Sequence, residues 1–186
     1  TEYLRIDELP GDVARGYLWR DWLRGNELHL PVVGSGDGGV YSSADDLALL
    51  WDAVLGGRVV SAKSLAAMVR PRVTVADEGK RYGMGFWLAL EGPGVILEGY
   101  DAGVSMRSIA LPRGKAGSDT ELGTCIGTAA SARGAALVAS VLSNWSDGAW
   151  EVAEVVQRWV VGQGLEQGPE QGPEEGVEEK HAVNQR

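Results

Sequence analysis

The sequence predicts an α+β domain, an antiparallel sheet flanked by helices. Three observations point there. Capped stripes of helical period occupy residues 43–69, and short β-prone segments separated by glycine turns follow from Tyr82. A last amphipathic segment after Asp147 closes the body. The chain has 186 residues, 44% apolar and 23% charged, which suits one globular domain and no more. No apolar run reaches the length of a membrane span, so none is expected.

The elements follow in order. Thr1 to Leu30 reads as loop, with Pro10-Gly11 as a turn and Trp19, Trp22 and Leu23 as anchors. Gly34 to Gly39 is a glycine-rich bend. Ser43 with Asp46 three residues on forms a capping box, and the helix behind it carries Leu47, Leu50, Trp51 and Val54 on one stripe before Gly56-Gly57 ends it. A second helix runs from Ser61 to Val69 and stops before Pro71, since the residue preceding proline disfavours helical geometry. Strands are expected at Tyr82–Leu90, Val95–Glu98 and Val104–Leu111, then a buried strand at Ala136–Ser143. Residues 114–134, rich in Gly, Ala, Ser and Thr, read as a long loop. Asp147 caps a final helix with Val152, Val155, Val156 and Trp159 inward.

The body ends near residue 162. From 163 to 186 the chain repeats acid, amide, glycine and proline, with almost no apolar surface to offset the entropy of ordering, so this tail is expected to be disordered. The net charge is −9; the tail's six acids against Lys180 and Arg186 account for −4, leaving −5 on the body. Neither part offers the basic footprint that neutralises phosphate backbones, and nucleic acid is excluded as a partner. Thr1 opens a polar, charged segment, so no secretory signal is expected and a cytoplasmic location is favoured.

The Gly34–Gly39 loop lacks the Walker Lys-Ser/Thr and holds the negative Asp37, so it reads as a bend and not a phosphate cradle. His29 and His181 have no partners at zinc spacing, and neither a metal nor a cofactor is expected. Cys125, the single cysteine, excludes an internal disulfide and reads as a small packing residue. No serine is followed three residues later by lysine, and no Gly-x-Ser-x-Gly elbow occurs. Ser105 is the remaining serine of interest; it has no histidine to activate it and reads as a strand residue. The seven tryptophans, Trp51 and Trp159 among them, are assigned to the core in preference to a sugar-stacking platform.

Four segments, taken in order, resemble the C-terminal half of the penicillin-recognising serine hydrolases, which comprise class C β-lactamases, DD-peptidases and related esterases. Gly38-Gly-Val-Tyr-Ser-Ser-Ala-Asp-Asp-Leu47 is similar to the family's Gly-Gly-x-x-Ser-Thr-Ala-x-Asp-Leu before a helix. Tyr82-Gly-Met-Gly-Phe-Trp87 resembles its Tyr-Gly-x-Gly-Phe/Trp strand. Gly99-Tyr-Asp-Ala-Gly-Val-Ser105 stands where the family has Gly-His-x-Gly or Lys-Thr-Gly beside the active site. Val141-Leu-Ser-Asn144 and Asp147 to Val161 look like the late strand and closing helix, so the likeness spans about residues 30 to 160.

The resemblance implies a β-lactamase/transpeptidase-like fold lacking its N-terminal portion, and acyl-enzyme chemistry on a peptide, β-lactam or ester. In the family a serine of Ser-x-x-Lys attacks the carbonyl, aided by its lysine and the tyrosine of Tyr-x-Asn, while backbone amides hold the oxyanion. Neither motif occurs in these 186 residues, so no catalytic residue is assigned. Tyr100 replaces His or Lys and Ala102 replaces glycine, which limits the implied substrate-binding residues to Tyr100, Asp101, Ala102 and Gly103, as a cleft wall. Tyr100 would donate a hydrogen bond without the fixed charge of lysine; packed on the sheet as a plain aromatic, it would bind nothing. Three functions stay open: part of a serine hydrolase completed by an N-terminal half that takes a small acyl substrate, a stand-alone binding module of the same descent, and an esterase using Ser105. A body without its N-terminal strands would expose apolar sheet surface and a strand edge. It is therefore expected to aggregate, to self-associate or to depend on an upstream segment.

Overall fold

Ser43 caps the first helix, but the reciprocal half of the expected capping box does not form: the Asp46 carboxylate accepts from the Thr1 amino group and hydroxyl instead. The Ser43 backbone is extended and its hydroxyl accepts from the Asp46 amide at 3.1 Å, so one orphan donor of the first turn is satisfied. Helix α1 then runs Ala44–Leu55, and Gly57, at φ +71°, ends it in the left-handed region that glycine adopts without strain. Ser61 caps α2 (Ala62–Met68) in the same way, accepting from the Ser64 amide. The computed structural model describes residues 1–19, 24–112 and 136–166. Trp22, Leu23, Cys125, His181, the 114–134 loop and the tail beyond Glu166 lie outside the described residues.

Six strands follow as an antiparallel meander in sequence order: β1 Val73–Val75, β2 Lys80–Tyr82, β3 Trp87–Ala89, β4 Val95–Asp101, β5 Val104–Pro112 and β6 Ala136–Ser143. Helix α3, Trp150–Glu166, packs back on β5 and β6. The expected antiparallel α+β architecture is what forms, but the strand count differs. The single strand expected over Tyr82–Leu90 is two, with β1 added at the edge. The cause is Gly83, where a Cβ would lie 2.1 Å from the Met68 carbonyl oxygen. The chain passes so close to the end of α2 that the Met84 amide donates to that oxygen at 2.7 Å, which breaks the ladder between Tyr82 and Trp87.

The two sheet faces sort the core by the period of two. Leu88, Val95 and Ala110 face α1 and α2, meeting Trp51, Val54, Leu55, Leu65 and Val69. Ile96, Ile109 and Leu111 face the other way, towards Val156 of α3. Across the first layer the buried Trp51 donates its indole N–H to Ser108 Oγ at 2.7 Å, and Ser108 in turn shares a hydrogen bond with Ser140. A buried indole so far from water needs that acceptor.

Several expected core positions turn outward. Leu50 is exposed and Leu55 takes its place in the α1 stripe. On α3 the buried contact comes from Ala153, with Ala149 buried just before the helix and Val156 half-buried, whereas Val152, Val155 and Trp159 are exposed; Trp159 is 59% accessible. The helix has more apolar circumference than one sheet face can cover. Helix α3 also starts two residues later than the Asp147 cap predicts: Asp147 offers its carbonyl to the Trp150 amide at 3.3 Å, and Ser105 Oγ takes up the Ala149 amide at 3.0 Å. Trp19, expected as an anchor, is exposed, with the Arg24 guanidinium 6.0 Å from its ring centroid.

Replacing Trp51 with Phe keeps the ring contact with Phe86 but removes the donor to Ser108. It is expected to cost about 1–3 kcal/mol, against about 2–5 kcal/mol for Leu88→Ala in the same core. Urea midpoints measure both, and a Trp51→Phe protein as stable as the parent would show that the buried hydrogen bond contributes nothing.

Candidate functional site

Tyr100, Asp101, Ala102 and Gly103 form the end of β4 and the turn into β5. Strand alternation separates their side chains. Tyr100 lies on the α3 face, 77% exposed, its ring edge-on to Trp150 with centroids 6.3 Å apart. Its hydroxyl has no hydrogen-bond partner among the described residues. Asp101 turns its carboxylate onto the Ala102 amide at 2.7 Å, closing the turn locally. Gly103 sits at φ +78°, and a Cβ there would come within 2.8 Å of the Asn26 Cβ and 2.9 Å of the Tyr17 amide. Glycine is required here on both counts.

Two distant segments fix this turn. Asn26, 5% exposed, donates its side-chain amide to the Ala102 carbonyl at 2.9 Å, although 76 residues separate them. Gly103 donates its amide to Ser146 Oγ at 2.8 Å. The segments also bind one another, through Tyr17 N to the Asn144 carbonyl (2.9 Å) and Asn144 Nδ2 to the Arg15 carbonyl (3.1 Å). Asn26 and Ser146 were not identified from the sequence. Residues 1–30 carry no periodic signal, and an isolated Asn in a polar loop has no signature of burial.

The strand behind the tip is open on one side. β3 pairs with β4 only through Trp87 with Ile96 and Leu88 with Val95, while β5 pairs along all of β4. Among the described residues nothing bonds the outer edge from Leu97 to Asp101. That half-edge presents peptide groups to which an extended ligand can add as a strand.

On the α3 face the root of the tip is charged. Glu98 accepts from Lys80 on one oxygen and from Arg107 Nε on the other at 2.7 Å, tying β2, β4 and β5 together. Lys80 also stands 4.7 Å from the Trp87 ring centroid and 3.2 Å from Glu78, and Arg107 lies 5.4 Å over Trp150. These three groups are nearly buried, so the carboxylate between the two cations offsets desolvation that neither would survive alone.

The other sequence candidates resolve simply. Ser105 is buried; its hydroxyl donates to the Trp145 carbonyl at 2.7 Å and accepts from the Ala149 amide. Both hydrogen-bonding roles serve the start of α3, and among the described residues no histidine adjoins it. The Gly34–Gly39 loop is a bend closed by Ser35 and Gly38 backbone bonds. The Ser35 hydroxyl on Asp37 holds that exposed carboxyl below the usual carboxylate range, so the bend keeps its negative charge. No helix among the described residues is long and apolar enough to cross a membrane.

This architecture has a solved counterpart. The crystal structure of a penicillin-binding protein from Bacillus halodurans superposes with a TM-score of 0.66 at 26% sequence identity, over 84% of this chain and 44% of that one. The chain has a penicillin-binding-protein-like fold. It spans less than half the length of that neighbour. No protein-family model matches it, and none of the curated proteins does.

Because Gly103 and Asn26 occupy one another's van der Waals limit, Gly103→Ala is expected to destabilise the protein by about 2 kcal/mol or more. Asn26→Ala should cost about 1–3 kcal/mol through the unpaired Ala102 carbonyl. Urea denaturation reads both, and accelerated amide exchange at Gly103 should accompany each loss. An unchanged midpoint in Gly103→Ala would contradict the packing at this turn.

Proposed function

We propose that this chain is the C-terminal part of a β-lactamase-related serine hydrolase, acting on an amide, β-lactam or ester through an acyl-enzyme. The observation that carries the reading is the superposition of its sheet on a penicillin-binding protein, with the candidate segment Gly99–Gly103 at the open end of β4. In the proposed reaction a serine hydroxyl outside these residues attacks the substrate carbonyl. Its proton passes to a neighbouring base and then to the leaving group, and water releases the acyl group by the same route. This chain's part is binding. The free peptide groups of Leu97–Asp101 take the extended substrate as an added strand, and the exposed Tyr100 hydroxyl donates to a substrate carboxylate or carbonyl. Alone, the chain is expected to hydrolyse nothing, since no Ser-x-x-Lys or Tyr-x-Asn is present.

A second reading, a non-catalytic module that binds a small ligand or protein at the same tip, is favoured by Tyr100 and Ala102 standing where the family has His or Lys and glycine. One experiment separates the two. The polypeptide encoded upstream of Thr1 is added in trans and the mixture is treated with a fluorescent penicillin. The hydrolase reading expects covalent labelling that needs both parts and that Tyr100→Ala lowers about tenfold. Absence of labelling, with the two parts shown to associate, would remove the hydrolase reading and leave the binding module.

A further inference from the structure

Tyr100 carries the binding role proposed above, yet its side chain is mostly exposed and its hydroxyl has no partner among the described residues. Such a side chain exchanges between staggered rotamers, and each rotamer aims the hydroxyl at a different place. What favours one of them is a neighbour that the ring can lean on. Among the described residues the ring meets one other, Trp150, with centroids 6.3 Å apart and planes at 80°.

Trp150 is itself fixed from β5, through backbone and side chain. The register sets Glu98 opposite Arg107 and Tyr100 opposite Ser105, so these four side chains share one patch on the α3 face. Ser105 Oγ accepts from the Ala149 amide at 3.0 Å, which holds the chain one residue before Trp150. The Arg107 guanidinium carbon lies 5.4 Å from the Trp150 ring centroid. That guanidinium is held in turn: its Nε donates to Glu98 at 2.7 Å, and Glu98 also accepts from Lys80 of β2. The side chains of Arg107 and Glu98 are 14% and 11% exposed, so salt and solvent screen the pair little. Arginine suits the place. A planar guanidinium bonds a carboxylate with its edge while its face lies on an indole, and a lysine ammonium has no such face.

We infer that Trp150 is a positioning residue for Tyr100, and that Arg107 acts through it. The inference rests on reading Tyr100 as the hydrogen-bond donor of the tip. Contacts run from Lys80 through Glu98, Arg107 and Trp150 to Tyr100, so nearly buried charges at the root of the hairpin set the direction of its exposed phenol. An edge-on aromatic contact weights the rotamer that makes it by about two- to tenfold. That preference lowers the ordering cost that a ligand would otherwise meet on binding.

The conformation is read by NMR on the 186-residue chain with ring-labelled tyrosine, the Tyr100 signals being those lost in Tyr100→Phe. Expected are cross-relaxation between the Tyr100 and Trp150 rings and Tyr100 shifts displaced from those of free tyrosine. Trp150→Leu should return the shifts to free values, and Trp150→Phe should keep part of the displacement. Arg107→Lys should weaken the cross-relaxation severalfold. Circular dichroism establishes that each variant is folded; were Trp150→Leu unfolded, Trp150→Phe and Arg107→Lys would decide.

The functional arm is a double-mutant cycle with the fluorescent penicillin and the two parts mixed. Trp150→Leu should lower the second-order labelling rate about fivefold, chiefly by raising the probe concentration for half-maximal rate. It should lower it no further in the Tyr100→Ala chain. Free-tyrosine shifts in the parent overturn the inference. Losses that simply multiply in the double variant also overturn it, because Trp150 would then serve the fold alone. The ring spectra need no acyl chemistry, so a parent mixture that is never labelled removes the hydrolase reading while the Tyr100 shifts still decide the positioning.

Discussion

The alternation of side chains along β5 organises this molecule. Its nine residues pair with β4 on one edge and β6 on the other, and its two faces receive different helices. Ser108 and Ala110 point at α1, where Ser108 supplies the acceptor that lets Trp51 be buried. Ser105, Arg107 and Ile109 point at α3: Ser105 binds the amide before the helix, Arg107 lies over Trp150, and Ile109 packs beneath. A shift of one residue would exchange these sets and leave both helices without their partners. Every other register in the sheet inherits its position from this strand.

The same strand explains why the candidate tip is rigid although its tyrosine is exposed. Gly103 begins the turn into β5, and the hydrogen bonds from Asn26 and to Ser146 hold both sides of that turn. Below it, Glu98 and Arg107 are opposite one another across β4 and β5, with Lys80 drawn in from β2. The exposed aromatic therefore stands on a base whose backbone is over-determined, an arrangement suited to presenting a donor at a fixed place.

Much of the fold was legible because local rules and tertiary structure agree. The Ser43 and Ser61 caps, the Gly56-Gly57 stop and the antiparallel class follow from spacing and capping chemistry; β6 forms over the expected residues, but as the last strand in the order it buries none of them, where the apolar run predicted a buried strand. The disagreements share one cause. Leu50, Val152, Val155 and Trp159 fit an apolar helical stripe, but a stripe gives only the period and not which part of the circumference meets a neighbour. The break at Gly83 was hidden for a similar reason: a glycine in a β-prone run does not announce that the end of α2 lies 2.1 Å from where its Cβ would be. Of the site, the segment Tyr100–Gly103 was found by its resemblance, whereas Asn26 and Ser146 come from loops in which no pattern precedes the contact.

By itself, then, the sequence determined the class of the domain, the starts of its first two helices, and its acidic balance. It also determined the absence of Ser-x-x-Lys and Tyr-x-Asn from these residues. Each of these rests on neighbours along the chain or on composition, so no folding is needed to read it. Tertiary structure alone decided that Tyr100 shares a face with α3, that Asn26 reaches 76 residues to Ala102, that Ser105 is spent on a helix start, and that β6 is the last strand in the order among the described residues. Those are distances between segments remote in sequence, and they exist only once the register of β5 has brought the segments together.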